Sequence, residues 1–110
     1  MSTRTDIVRQ TLEPGFDTEE FRKLGTEDMT FHSAHLGIDL QGRDAVADAL
    51  AKAFAGSSPT RQIQGEPVEQ GNFVVAFYRT TLSNGEQWEI CGVFRFTEDD
   101  QISGAWTMKA

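Results

Sequence analysis

The stretch whose reading decides the fold is "NFVVAFYRTTLSNGEQWEICGVFRF", residues 72–96. Two runs rich in Val, Ile, Thr and aromatic residues flank Ser83-Asn84-Gly85. Such runs suit a pleated, half-buried surface. Asn-Gly between them is the strongest short hairpin signal, because the tight turn needs positive φ at its centre. Two long antiparallel strands are expected. Side chains alternate faces along a strand. In the second run Trp88, Ile90, Phe94 and Phe96 share one parity with Gly92, and Glu89, Cys91, Val93 and Arg95 take the other. In the first run Phe73, Val75, Phe77 and Arg79 oppose Val74, Ala76, Tyr78 and Thr80. Collecting the aromatic sets on one face predicts an inner surface that needs helices or a ligand against it. The other face is only half polar, which predicts a subunit interface and a homodimer.

Working outward, "EDDQ" (98–101) turns the chain and "ISGAWTMKA" (102–110) reads as the last strand. Upstream, "TRQIQGEPV" (60–68) is a broken strand with Pro67 at an edge or bulge. "RDAVADALAKAFAG" (43–56) places Val46, Leu50 and Phe54 on one helical stripe, with Ala45, Ala49 and Ala53 beside it. "MTFHS" (29–33) alternates as a strand does, and "AHLGIDLQG" (34–42) reads as a loop. "DTEEFRKLG" (17–25) opens on a capping-box pattern, Asp17 and Glu20, and Gly25 suits its C-cap. "TRTDIVRQTLEPG" (3–15) spaces Ile7, Val8, Thr11 and Leu12 helically until Pro14-Gly15 stops it. The order is α-α-β-α-β-β-β-β, an α+β chain. No repeat or linker divides it, so one domain over 1–110 is expected.

Charge and composition exclude several roles. The net charge of −7 repels phosphate backbones, so nucleic acid is not an expected partner. Cys91 is the single cysteine, which allows neither an intramolecular disulfide nor a cysteine zinc site. "MSTRTDIVRQ" lacks the apolar core of a signal peptide, and no window approaches a membrane span. A cytoplasmic protein without membrane contact is the expectation.

The chain resembles the SnoaL-like, nuclear-transport-factor-2-like family. The carriers are "EDMTFHSA", "GRDAVADAL", the two paired long strands, and "FRFTEDDQISGAW", over roughly residues 17–108. The resemblance implies a bent sheet wrapped around helices as a cone. It also implies a pocket for a small hydrophobic molecule, polyketide- or terpenoid-like, that is isomerised, cyclised or dehydrated without cofactor or metal. Phe31, Phe54, Phe73, Val75, Phe77, Trp88, Ile90, Phe94 and Trp106 are the candidate lining, and Gly92 leaves room at its centre. The alternative is a non-catalytic ligand-binding or dimeric assembly domain, since fold does not dictate function.

The family's known chemistries do not carry over residue by residue. A ketosteroid-isomerase-like site needs an Asp base and two oxyanion donors. Ser33, Gly92 and the neighbourhood of Arg9 stand at those positions. An epoxide-hydrolase pattern needs carboxylates around an arginine; Arg79 has no Asp two residues away. Arg79 is expected to reach the pocket rim, or to bind an acidic ligand group. The last strand carries no carboxylate side chain for a cyclase. What remains is His32 and His35, the only histidines. Two histidines without a matched carboxylate are too few for zinc, so no metal is expected. His35 on the loop suits a general base, because its pKa lies near neutral. Asp39 is placed to orient it, and Ser33 to hydrogen-bond a ligand carbonyl. Otherwise both histidines are ordinary polar residues of a loop and a strand end.

Overall fold

The computed structural model describes residues 3–12, 22–54, 60–82 and 84–110, without the side chains of Leu50, Ala53 and Phe54. Helix α1 (Thr3–Thr11) precedes strands β1 (Gly25–Ser33) and β2 (Ile38–Gln41). Helix α2 (Arg43–Phe54) follows, then β3 (Thr60–Ile63), β4 (Val68–Gln70), β5 (Phe73–Thr81), β6 (Gln87–Phe96) and β7 (Ile102–Lys109). The strands form one mixed sheet in the order β2-β1-β7-β6-β5-β3, with β4 also on β5. Among the described residues only the β1–β7 pairing is parallel. The result is the expected α+β architecture. Among the described residues no helix is long and apolar enough to cross a membrane.

Three local readings differ from the sequence expectation. The stretch 34–42 is not all loop: Ile38–Gln41 folds back antiparallel on β1. A strand of four residues flanked by glycines is too short for its alternation to stand out. Gly25 does not cap a helix but opens β1, although residues 22–24 are helical. The capping box at Asp17 and Glu20 lies outside the described residues. The broken strand 60–68 is two strands, both on β5, with buried Pro67 between them. Proline has no N–H for a ladder, so the pairing breaks there.

The hairpin of β5 and β6 forms as expected, but its inner face is different. Val74, Ala76 and Tyr78 stand opposite Phe94, Gly92 and Ile90, and all six are buried. Phe73, Val75, Phe77 and Arg79 stand opposite Arg95, Val93, Cys91 and Glu89 on the outer face. Phe73 remains 40% exposed and Phe77 50%. Grouping the aromatic residues of both strands was therefore a wrong parity for β5. The physical reason is helix approach. Helix α1 lies against β5, and Val74 and Ala76 let it come close, while Phe94 and Phe96 fill the volume from β6.

Trp106 is a second correction. Its strand partner is Val93, on the outer face, and Ala105 and Thr107 turn inward. The Trp106 ring folds back over Gly104, where a Cβ would lie 2.9 Å from it. The Arg95 guanidinium sits 5.3 Å from the ring centre. Gly92 does not leave a void. The rings of Phe94 and Tyr78 already fill its side, 3.1 and 3.2 Å from where a Cβ would be. Helix α2 buries Val46 and Ala47, whereas Ala45 is exposed. It starts at Gly42, whose carbonyl accepts from Val46 N–H at 3.1 Å. Met29, Phe31 and Ser33 lead up to that helix from β1, and Met29 and Val46 are fully buried.

Candidate functional site

Ser33 ends β1 and is 2% exposed. It pairs with Thr107 on one side and Ile38 on the other, so its hydroxyl belongs to the inner face. The Ala34 N–H donates to the Thr107 carbonyl at 2.9 Å and pins the strand end to β7. The chain then turns through 34–37, helped by Gly37 at φ 67°. That turn carries His35 back over the strand end. His35 Nδ1 lies 3.4 Å from Ser33 Oγ. Its ring meets the edge of Trp88 at 5.6 Å and 88°. On the other side of the site the Lys109 ammonium lies 4.4 Å from the Trp88 ring centre. The indole N–H of Trp88 donates to Glu86 Oε1 at 3.0 Å.

His35 therefore stands beside Ser33, but Asp39, its expected orienting partner, does not join them. Asp39 stands opposite His32, on the outer face, and hydrogen-bonds that ring. His32 in turn stacks on Trp106, at 6.1 Å and 13°. The orienting role assigned to Asp39 is overturned by strand register. With β2 paired to β1, Asp39 shares a face with His32, not with the turn residue His35. Arg79 is likewise on the outer face, donating to Glu89 at 2.6 Å. Of the predicted lining, Phe31, Trp88, Ile90 and Phe94 are on the inner side, Ile90 and Phe94 within the packed core. Phe73, Val75, Phe77 and Trp106 are outside it. The Phe54 side chain lies outside the described residues.

Lys109 was missed, although the alternation Ala105, Thr107, Lys109 along β7 places it inward once Ala105 is known to be buried. Arg61 and Tyr78 were missed for the same reason. Arg61 is opposite Thr80 and Ile63 opposite Tyr78, so β3 sends both its inner side chains toward the face carrying Trp88 and Ile90. A cavity of about 500 Å³ opens beside them. Its walls are Arg9 and Leu12 of the α1 end, 60–63 of β3, and Thr81. None of the sequence-predicted residues lines it. The chemistry at Ser33–His35 and the open volume at β3 are thus two ends of one sheet face, with Thr80 and Trp88 between them.

Electrostatics separate the groups further. Burial lowers the His35 pKa from 6.5, and the Lys109 charge lowers it again. The imidazole is accordingly neutral at pH 7 and able to accept a proton. Burial pushes the Tyr78 phenol up to about 12, against the opposing pull of Arg61, so it is a donor across the physiological range. Burial also lowers the Arg61 pKa, from a starting value so high that the guanidinium stays charged. In an NMR titration, His35 is expected to titrate below 6.5, and Lys109→Gln to move it upward. A wild-type value at or above 6.5 would remove the burial argument. The folded state binds this proton less tightly than the unfolded chain. Its contribution to stability is thus present above pH 6.5 and declines as pH falls.

The SnoaL-like domain model matches residues 10–105. The chain belongs to the SnoaL-like family. Among solved structures, it is similar over 99% of both chains to one from Agrobacterium tumefaciens str. C58. That protein is described as a "putative isomerase of the SnoaL-like family", with TM-score 0.74 and 17% identity. A "putative ketosteroid isomerase" from Kribbella flavida DSM 17836 has TM-score 0.80 and 15% identity, over 97% of this chain and 77% of that one. An NTF-2 like protein of unknown function from Burkholderia xenovorans LB400 has TM-score 0.71 and 13% identity, over 86% and 70%. At these identities the likeness is one of fold. The comparison with curated proteins returned no match. In this SnoaL-like chain the Ser33–His35 pair stands at the end of β1, beside β7.

Proposed function

We propose that this SnoaL-like protein is a small-molecule enzyme acting on a hydrophobic, polyketide- or terpenoid-like substrate. It would isomerise, cyclise or dehydrate it by acid–base chemistry at His35. The observation that carries this reading is the His35 imidazole, set 3.4 Å from the Ser33 hydroxyl and edge-on to Trp88. In the working tautomer Nδ1–H donates to Ser33 Oγ, and the Nε2 lone pair is free. Nε2 takes a proton from carbon next to a substrate carbonyl. The Ser33 O–H donates to the oxyanion that forms, an interaction stronger there than in the ground state. The proton returned to another carbon completes an isomerisation. Loss of a β-hydroxyl, with that proton, releases water. Attack of the carbanion on a second carbonyl closes a ring. The Trp88 face and Phe31 supply the apolar side of the site.

The test is deuterium uptake from D₂O at the carbon next to the carbonyl, over a panel of apolar ketones, read by mass spectrometry. Uptake that is enzyme-dependent and rises with pH through the His35 titration supports the reading. No enzyme-dependent uptake on any member leaves the second reading, a ligand-binding domain. One observation favours that alternative: among the described residues no carboxylate orients His35, since Asp39 is held by His32.

We also propose that two copies pair through the outer sheet face. Val68, Phe73, Phe77 and Met108 are exposed there, between 37% and 59%. The polar groups beside them are already hydrogen-bonded within the chain: Arg79 to Glu89, His32 to Asp39, and Arg95 to Ser103. A face that is apolar, with its polar groups hydrogen-bonded within the chain, can meet its own copy about a two-fold axis, even though each chain carries −7. Phe77→Asp is expected to convert a dimer to a monomer in sedimentation velocity. A wild-type monomer at tens of micromolar would overturn the pairing.

A further inference from the structure

A base must present its lone pair in one direction, and the backbone of His35 does not secure that. His35 sits in the turn 34–37, between Ala34, tied to Thr107, and Gly37 at φ 67°. Its neighbour Leu36 is 53% exposed. Side-chain contacts therefore hold the imidazole. The contact with Ser33 Oγ is 3.4 Å long, beyond the roughly 2.7–3.2 Å of a well-formed bond, and orients weakly. The contact with Trp88 is of the favoured kind. The rings stand 5.6 Å apart at 88°, a T-shaped pair within the roughly 4.5–7 Å span of aromatic partners. Trp88 is itself held from two sides. Its indole N–H donates at 3.0 Å to Glu86 Oε1, just before β6, which sets the rotation of the ring. The Lys109 ammonium lies 4.4 Å from the ring centre, inside the cation–π range of about 6 Å. Lys109 stands opposite Ile90 near the end of β7, and the following N–H, of Ala110, donates to the Glu89 carbonyl at 2.9 Å. The cation is thus carried by a strand end tied to the strand that bears the indole. Tryptophan has two side-chain torsions, so two directional contacts fix it at small entropic cost.

We propose that Trp88 is the positioning residue of His35: held by Glu86 and Lys109, its indole fixes the imidazole beside Ser33. The consequence for rate rests on the proposed base role of His35; the geometry does not. In a histidine–carboxylate pair the acid both orients the ring and stabilises its charged form. An indole with a cation on its face does only the first. That agrees with the His35 pKa, which burial lowers and the Lys109 charge lowers again. Trp88 transfers no proton. It decides where Nε2 points.

The test is Trp88→Leu in the full chain, which removes the ring and keeps an apolar side chain. The His35 ring-proton NMR signals, displaced by the neighbouring indole, are expected to move to the positions of an exposed histidine. Deuterium uptake is expected to fall about 10–100-fold in kcat, the cost of a misplaced group. KM is expected to rise by less, because the indole also walls the site. Trp88→Phe keeps an aromatic ring and is expected to restore most of the displacement and most of the rate. Should Trp88→Leu fold poorly, Lys109→Met decides. It releases one side of the clamp at an exposed strand end, and is expected to move the same signals part of the way and to lower kcat several-fold. Its rate is compared with wild type above the His35 titration, where loss of the Lys109 charge no longer alters the fraction of neutral base. Lys109→Arg keeps a cation over the ring and is expected to match wild type. Unchanged His35 signals in the leucine and methionine variants would overturn the proposal. So would an unchanged kcat, a loss confined to KM, or a phenylalanine no better than leucine. A wild type that takes up no deuterium, with signals that still move on substitution, would sink the base role of His35 and leave the positioning by Trp88 standing.

Discussion

Replacing His35 by glutamine is expected to lower deuterium uptake by about 10²–10⁴-fold, the usual contribution of a positioned general base. Glutamine keeps a polar side chain of similar reach beside Ser33, so the turn 34–37 retains its hydrogen-bonding options. His35 is only half-buried and outside the packed core, so the melting temperature is expected to stay within a few degrees. Loss of proton transfer with an intact fold is the required pair of results. An unchanged rate would mean that the base lies elsewhere. A lost rate with a lost fold would be answered by Ser33→Ala. That change removes the oxyanion donor at a buried position, with an expected loss of about 10²-fold or more. The wild-type rate should also increase with pH below neutrality and level off above the His35 titration, because the neutral form is the active one. A rate that falls over that range would assign His35 the acid role instead.

Phe94→Ala is expected to destabilise the protein by about 3–5 kcal/mol, the cost of removing a buried phenylalanine and leaving a cavity. Phe94 is 6% exposed, belongs to the central core and fills the space beside Gly92. Domains of this size are stable by about 5–15 kcal/mol in total, so the variant should lose much of its denaturant resistance. Phe77→Ala is the matching control. Phe77 is 50% exposed on the outer face, and its removal is expected to cost about 1 kcal/mol or less in the monomer. Urea unfolding of the two variants, at concentrations low enough to exclude association, tests the face assignment directly. Equal losses would mean that β5 presents its aromatic parity inward after all.

The contrast between those two phenylalanines marks how far local pattern reaches. Asn84-Gly85 sets the β5–β6 hairpin, and alternation along β6 separates Ile90, Phe94 and Phe96 from the set that contains the charged Glu89 and Arg95. Along β5 both parities are apolar. Phe73, Val75 and Phe77 then look at least as suitable for a core as Val74, Ala76 and Tyr78. What separates them is which side α1 covers, and that is not encoded within the strand. The same holds for Trp106, whose face depends on the register of β7 against β6 rather than on its size.

The candidate site divides in the same way. Ser33 and His35 are near neighbours in sequence, and a strand end followed by a glycine-terminated turn brings them together locally. The sequence reading assigned Asp39 to His35 and Ser33 to the ligand, and did not anticipate the 3.4 Å approach of Ser33 and His35. Asp39 is only four residues from His35, but the β1–β2 pairing gives it to His32. Lys109, Trp88, Thr80 and Arg61 are drawn from four separate strands, and only the sheet order makes them a row. By itself the sequence determined the α+β class, the long hairpin and the helix that starts at Arg43. Each of these rests on contacts between residues close in the chain, where periodicity and turn chemistry act. The tertiary structure alone decided which face of β5 is buried, which histidine meets Asp39, and where the cations stand. These follow from long-range register and helix cover, and a one-residue change in either would exchange the two faces.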